Sequence, residues 1–600
     1  MVVADPHRGF NDVADSLPTS NSPFIVGVSG HRDLDPSDAP RLRAAVTEFV
    51  QQLKRLLPDT ELRIIVGMAE GADLLVAQAA LDLGVPVEAV LPMSLEQYAA
   101  DFDPESLALL RRLLANPAVR CIELSPPTHL RNADGTLDNV QRDVMYENLT
   151  DTLIRRSSIL LALWDGNPSR LPGGTADTVL RYLGVRTDAD RADVGIEFIE
   201  ADGDMQAAER LVYWTPAPRL SSAPAAQAQR PCFLRGVGEN ALEMQQGMPS
   251  QLTHQLAALN HYNQEYQELL DAGKLGARDS LLASLPAETP LPDKLLLEDI
   301  DAQYGKADAL AIYYQVRSDN LFVLFGFMTF AMGLAYLIYE KLTESRFLLY
   351  GYLFVLLSSL AVFYVLNHRH WFAKHLIYRA IAETMRAKFY LRVAGVDHRV
   401  DPFEVLALSG VDRFHGFGWI GYVLRGVESP DIHVATLREN EAQRSRSVEQ
   451  AWIDSQHRYF TKKVARLEKS SGHVERLKKT LFVVILVVIT VMVLFGESLT
   501  EVHLGVDISV KRLLMFSMGF LAVLLGAWEL HQDKMATREL LWQYRNQLSH
   551  FGRARARLAR ITSSQRRNDL LVELGKDSLM ESYLWTIHRY HREHEPPAGA

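Results

Sequence analysis

At 600 residues the chain is several times a typical domain of about 100 to 200 residues, which predicts two to four folded units rather than one core. With 48% hydrophobic and 23% charged residues it is neither collagen-like, nor low-complexity and disordered, nor a disulfide scaffold. A formal net charge of −10 offers no general field for phosphate backbones, so no nucleic acid is expected as a partner. Cys121 and Cys232 stand far apart without CxxC or Cys/His spacing, so no disulfide framework and no metal site are expected.

The start Met1-Val2-Val3-Ala4-Asp5 carries early acids and no basic stretch ahead of a long apolar one. No cleaved signal peptide is therefore expected, and residues 1–20 read as a flexible tail. From Phe24 to about Thr215, short β-branched runs alternate with amphipathic stretches. The runs are Phe24 to Ser29, Leu62 to Met68, Val87 to Leu91, Val119 to Leu124, Ile159 to Trp164 and Leu211 to Trp214. The alternation predicts an α/β, Rossmann-like domain over 21–216, a mostly parallel sheet covered on both faces. Between the first two runs, Leu42, Ala45, Val46, Phe49, Leu53 and Leu56 recur at three- and four-residue spacing and predict a helix with one buried face. Residues 217–231, rich in Ala, Pro, Ser and Gln, lack a period and read as a linker, with a helical connector continuing to 300.

Four uncharged apolar windows follow: 320–339, 347–367, 480–496 and 513–528. A spanning helix needs roughly 20 apolar residues, so the first two qualify and the last two sit at the short limit. The run Leu481-Phe482-Val483-Val484-Ile485-Leu486-Val487-Val488-Ile489 has no polar face, as a lipid-exposed helix requires. An α-helical membrane region with four transmembrane helices in two hairpins is the expectation, with the lipid bilayer as a partner. Lys462, Lys463, Arg466, Lys469, Arg476, Lys478 and Lys479 precede the third window, and Arg369, Lys374, Arg379 and Arg386 follow the second. These residues put that side, and both termini, in the cytoplasm, with the connections Glu340 to Arg346 and Glu497 to Arg512 outside. Charged, aromatic-bearing helices flank each pair, as in Tyr378 to Arg386 and Arg538 to Arg545, so the pairs read as copies of one unit over 301–395 and 451–575. A cytoplasmic connector over 396–450 separates them and a tail over 576–600 follows; within the connector, Phe417 to Leu424 reads as a short apolar loop or interfacial segment.

Three loops at the carboxyl ends of predicted strands carry the candidate chemistry. They are Gly27-Val28-Ser29-Gly30-His31-Arg32, then Gly67-Met68-Ala69-Glu70-Gly71-Ala72-Asp73, then Asp165-Gly166 with Pro172-Gly173-Gly174-Thr175. Glycines let a backbone approach a phosphate, and unpaired amides at the start of a helix attract anions. The expected ligand-binding residues are therefore Gly27, Ser29, Gly30, His31, Arg32, Gly67, Ala69, Glu70, Gly71, Asp73, Asp165, Gly166, Gly173, Gly174, Thr175 and Asp177. Thr175 could cap the helix it opens or bond a phosphate oxygen, and Arg32 supplies positive charge. His31 could act as a base or pack beside its loop. Asp73 and Glu70 could hold ribose hydroxyls or a base, or cap the helix that starts near Gly71.

On these three loops the region Phe24 to Trp214 resembles the SLOG superfamily, LOG/DprA-like Rossmann-type domains that include the LOG nucleotide hydrolases. The two apolar pairs with their flanking helices are similar in architecture to SLATT modules, two-helix membrane units found beside SLOG domains in bacterial conflict systems. The resemblance implies a nucleotide or ADP-ribose-type ligand at the loops, no required cofactor, and a membrane effector acting as a homo-oligomeric pore in antiphage defence at the bacterial inner membrane. It also implies an enzyme as the rival, a membrane-tethered LOG-like nucleoside monophosphate phosphoribohydrolase; a non-catalytic scaffold is the third reading. LOG enzymes carry Pro-Gly-Gly-x-Gly-Thr-x-x-Glu with a catalytic glutamate. Here Pro172-Gly173-Gly174 runs directly into Thr175, Thr178 stands where the glutamate would, and Asp177 stands one place early, turned by about 100° on a helix. That departure counts against hydrolysis and leaves binding intact.

Overall fold

Alternating β-branched runs and amphipathic helices build the first part of the computed structural model. It describes residues 21–592 apart from 125, 127–136, 170, 186–195, 206–209, 221–229, 239, 277–278, 397–417, 428–439, 496, 498, 500–508 and 535–536. In chain order the elements of the α/β part are β1 (Phe24–Gly30), α1 (Ala39–Leu56), β2 (Leu62–Val66), α2 (Ala72–Asp82), β3 (Val87–Leu91), α3 (Leu95–Tyr98), α4 (Pro104–Leu114), β4 (Val119–Glu123), α5 (Asn139–Arg156), β5 (Ile159–Trp164), α6 (Thr175–Tyr182), β6 (Glu197–Glu200), β7 (Val212–Pro216), β8 (Cys232–Val237) and β9 (Ala241–Gln245). Among the described residues they form one nine-stranded sheet, in the order β4-β3-β2-β1-β5-β7-β8-β9-β6. The six strands from β4 to β7 are mutually parallel, while β8 is antiparallel to both β7 and β9. Central strands covered on both faces read as unbroken apolar runs, and β5 is buried along its whole length. The buried stripe of α1 is Leu42, Val46, Phe49, Val50 and Leu53, with Phe49 stacked on Tyr213 at 3.9 Å between ring centroids.

The expected domain boundary at 216 falls inside this sheet. β8 and β9 follow the Ala/Pro/Ser/Gln-rich stretch, most of which, 221–229, lies outside the described residues. Their short runs sit beside a stretch without period, and only pairing with β7 turns them into strands. Cys232 is buried there against Trp214, in a core with Trp164, Leu234 and Leu242.

The helices that follow are α7 (Ser250–Asp271), α8 (Lys294–Lys341), α9 (Arg346–Arg369), α10 (Trp371–Ala394), α11 (Gly418–Arg425), α12 (Glu441–Val448), α13 (Ser455–Phe495), α14 (Val510–Lys534), α15 (Thr537–Leu558) and α16 (Ser564–Arg592), with a π-helical turn at Glu449–Asp454 before α13. The chain forms two compact units: one comprises Met1–Lys274, Ser280–Lys306 and Thr384–Ser445, the other Leu275–Asp279, Ala307–Glu383 and Arg446–Ala600. This division departs from the expected segments. Both pairs of apolar helices share one unit, and the described residues of the expected 396–450 connector as far as Ser445 fall in the unit that holds the sheet.

Within the sheet unit, α11 is a buried helix and not the interfacial segment expected at 417–424. Ile420, Val423 and Leu424 are at most 2% exposed, Tyr422 donates to Gln255 Oε1 at 2.6 Å, and its ring meets Phe24 edge-on. Eight apolar residues carry too little period to separate a buried helix from a loop. The expected tail from 576 is likewise helical to Arg592, as part of α16; residues 593–600 lie outside the described ones.

Among the described residues four helices are long and apolar enough to cross a membrane, in the stretches Lys294–Lys341, Arg346–Val365, Glu441–Phe495 and Val510–Leu530, and at most 6% of any apolar window is buried. Phe347, Phe354, Phe482 and Val493 are each more than 60% exposed, a density of apolar surface that water does not tolerate and lipid does. The chain is accordingly a membrane protein. In this unit α8 and α14 pack through reciprocal notches: Val523 fills the space beside Gly333, Leu337 fills that beside Gly519, and Phe330 meets Phe520 at 5.8 Å. Small residues at such crossings let helices approach closely in lipid.

Candidate functional site

The strand order creates an opening. From β1 the chain adds β2, β3 and β4 on one side, whereas β5 and β7 lie on the other, so the carboxyl ends of β1 and β5 flank the point where the order reverses. Connections leave that point in opposite directions, which is where open α/β sheets take their ligands. Gly27 and Ser29 lie within the β1 ladder itself, with Gly27 facing Ser157 and Ser29 paired to Ala162. Gly30 packs closely on Ala72 at the end of the strand.

His31 and Asp165 close the β1 and β5 loops on each other. Both are buried, and His31 Nε2 lies 3.0 Å from the Asp165 backbone nitrogen and 3.0 Å from its Oδ1. Burial lowers the His31 pKa against the opposing pull of the Asp165 carboxylate, so the neutral ring accepts the amide N–H near neutral pH. Asp165 also accepts from the Asn167 N–H at 3.1 Å and from its side-chain amide at 3.2 Å, around Gly166. His31 thus joins the β1 and β5 loops through Asp165.

Arg32 is exposed, and its guanidinium lies 5.3 Å from the Tyr146 ring centroid on α5. The Tyr146 hydroxyl donates to Asp101, which also accepts from Arg142 at 2.6 Å. Tyr98, fully buried, donates to the Gly67 carbonyl at 3.2 Å, and its ring lies 6.3 Å from that of Tyr146. Tyr98, Asp101, Arg142 and Tyr146 were not legible as site residues, because their helical spacing signals packing and only the fold gathers them around Arg32.

The second loop is joined to the first through its backbone. Gly71 has φ 76°, and a Cβ there would overlap the Arg32 carbonyl oxygen and stand 2.7 Å from that of His31. The Ala72 N–H donates to the His31 carbonyl at 3.1 Å. Asp73 is buried and accepts from the Ala69 N–H at 3.1 Å; burial pushes its pKa up to about 7, against that bond and the charge of Arg32. Glu70 Oε1 accepts from the Asp103 N–H at 2.6 Å and so steadies the start of α4 rather than α2. Gly67 is packed against Leu149.

In the third loop the glycine amides are already engaged. Gly173 N–H donates to Asp177 Oδ2 at 2.9 Å, and Gly174 N–H to the Leu171 carbonyl at 3.1 Å. The donors this end offers are the amides of Thr175, Ala176 and Asp177, which lack an acceptor four residues back. Gly174 is the N-cap and makes no side-chain cap, so the capping role open to Thr175 is not taken; its hydroxyl stands at the first helical position. Thr178 is 1% exposed, donating to the Gly174 carbonyl at 3.0 Å and lying 3.2 Å from Thr150 Oγ1. Asp177 also pairs with Arg181 at 3.4 Å. Tyr146 ties the loops together: its backbone lies about 3 Å from where a Gly173 Cβ would stand, and its ring lies beside Arg32. Among the described residues no group of three or more His, Cys, Asp or Glu could hold a metal ion. No protein-family model and no curated protein matches the chain.

Proposed function

We propose that the chain is a membrane-anchored sensor, whose SLOG-like, Rossmann-like head binds a nucleotide or ADP-ribose-type ligand and whose two SLATT-like helix hairpins act as the effector. The observation that carries the reading is that Tyr146 stands between an exposed cation, Arg32, over its ring, and the Gly173 turn that opens α6, beside the reversal of strand order. A phosphate there takes charge-assisted bonds from a guanidinium and from a helix start. Arg32 rests on an aromatic ring, an interaction of about 0.5–1 kcal/mol at exposed sites, which a phosphate readily outcompetes. Transmission is proposed to run along α8, one 48-residue helix that ends in the first apolar window. A near-complete switch needs a ligand preference of about 5.5 kcal/mol for one state.

Four thin helices cannot enclose an aqueous path alone, so the effector is a homo-oligomer. Both termini face the cytoplasm of a bacterial cell, and opening the inner membrane in antiphage defence is the outcome. Hydrolysis of the ligand is disfavoured by a buried Thr178 at the position of the LOG glutamate and by an Asp177 committed to Gly173 and Arg181. The test is thermal stabilisation of the full-length protein in detergent by AMP, ADP-ribose and cyclic dinucleotides, where a hundredfold excess over Kd adds about 2.7 kcal/mol. The binding ligand should lose its effect in Arg32→Gln and should release dye from vesicles holding the wild-type chain. If no nucleotide stabilises the protein, or if Arg32→Gln keeps the full effect, the reading fails.

A further inference from the structure

On α13 the basic residues ahead of the third apolar window are not scattered. Lys462, Arg466, Lys469, His473 and Arg476 follow one another at four- and three-residue steps, which keeps all five within an arc of about 80° on the helix surface. All five are exposed, and among the described residues none is paired with a carboxylate. Their side-chain contacts go to the helix itself: Arg476 Nε donates to the Gly472 carbonyl at 3.1 Å, and His473 Nδ1 lies 2.7 Å from that of Lys469. The two acids of the stretch lie off this arc and are already used, Glu468 by Arg545 at 2.6 Å and Glu475 by Lys479 at 3.2 Å. The stripe therefore carries four cations and one histidine with no acid among them, on a helix that runs without a break into the apolar window ending at Phe495.

We infer that the membrane-proximal end of this stripe, Lys469, His473 and Arg476, is a binding site for anionic phospholipid headgroups. Measured along the helix from Thr480, Arg476 stands about 6 Å, His473 about 10 Å and Lys469 about 16 Å away at 1.5 Å per residue; helix tilt shortens each depth. The headgroup layer is roughly 5–8 Å deep and the surface potential decays over a Debye length of about 8 Å, so these three lie within reach of lipid charge. Arg466 and Lys462, at about 21 and 27 Å, lie beyond it. The same arithmetic selects lipid over a soluble acidic partner for the lower three, since they abut the hydrocarbon boundary that any partner would have to share. Each cation at that depth strengthens association with an anionic lipid by at most roughly fivefold. The site is independent of the nucleotide reading and rests only on the third apolar helix lying in a bilayer.

The experiment reconstitutes the full chain in phosphatidylcholine vesicles and compares spin-labelled phosphatidylglycerol with spin-labelled phosphatidylcholine at the protein surface by electron paramagnetic resonance. The wild type should favour phosphatidylglycerol several-fold at low salt, and the preference should fall toward parity in 0.5 M salt, about a 4 Å Debye length. K469Q/H473Q/R476Q should abolish most of it and R476Q alone should lower it, while K462Q/R466Q leaves it intact. Helical content and elution volume identify a misfolded triple variant, in which case R476Q decides. No preference in the wild type, an unchanged preference in R476Q and the triple variant, or an equal loss in K462Q/R466Q would each overturn the assignment, the last because residues beyond reach of the headgroups would then matter as much as those within it.

Discussion

Gly71→Ala tests whether the first and second loops touch as described. The residue has φ 76° and ψ −113°, outside even the left-handed helical region, where an L side chain costs about 1–3 kcal/mol. Its new methyl would overlap the Arg32 carbonyl and crowd that of His31, and backbone atoms cannot swing aside as a side chain end can. Overpacking of this kind costs a further ~1–3 kcal/mol, so the expected loss is roughly 2–6 kcal/mol. Gly84 is the internal control: φ is 66°, but a Cβ there meets nothing within 4 Å, so Gly84→Ala should show only the conformational part. Hydrogen exchange of the β1 and β2 amides in the full-length chain reads both losses locally. Equal effects at 71 and 84 would mean that the close approach of the two loops, and with it the site as built here, is wrong.

Asp73→Asn should change the pH dependence of the same exchange. The carboxyl titrates at about 7 when folded and near its ordinary 3.8 when unfolded, so the folded state holds the extra proton and stability falls as pH rises between those values. Asparagine removes that slope, gaining up to ~4 kcal/mol at pH 8 and little at pH 4; a difference independent of pH would refute the buried-carboxyl account. Thr178→Glu, which restores the residue type of the LOG pattern, should destabilise the head by several kcal/mol, because it buries a carboxyl against Thr150. Turnover of AMP by that variant would show the position to be open to ligand. In a variant lacking Cys121 and Cys232, the pair Leu337→Cys/Gly519→Cys should cross-link through the α8–α14 notch. The pair Phe327→Cys/Gly519→Cys, about 15 Å further along α8, should not.

The strands were legible where both faces are buried. Val87–Leu91 and Ile159–Trp164 coincide with their apolar runs, since a run covered on two sides leaves no other reading at that length. β6, β8 and β9 were not: Glu197–Glu200 alternates over only four residues, and β8 and β9 exist through pairing between segments distant in sequence. The apolar windows were legible because lipid removes the need for a polar face, while the α8–α14 contact was not, since it depends on which notch meets which knob. At the site, glycine and charge marked the loops correctly as places of close approach, but most glycines answer to the protein's own atoms. Sequence carries no record of whether the atom beside a missing Cβ is a ligand's or a neighbour's.

The candidate acids share one geometry, and it bears on what the site can do. Asp73 accepts the Ala69 N–H, Glu70 that of Asp103, Asp165 that of Asn167, and Asp177 that of Gly173. In each case a carboxylate fixes a local turn or the start of a helix, and its charge is answered by backbone dipoles at close range. A general base needs a lone pair aimed at substrate and a pKa set for transfer; three of these acids are tied to turns or helix starts, while burial brings Asp73 to about 7, the range in which a base works, with its carboxyl buried against the Ala69 N–H. His31 is held against the Asp165 amide. The positive groups beside them are the Arg32 guanidinium, which sits over Tyr146 and is drawn to Asp101, and the first amides of α6. A crevice whose negative groups are answered largely by its own backbone, with an arginine and a helix start beside them, offers an anion more partners than it offers a cation.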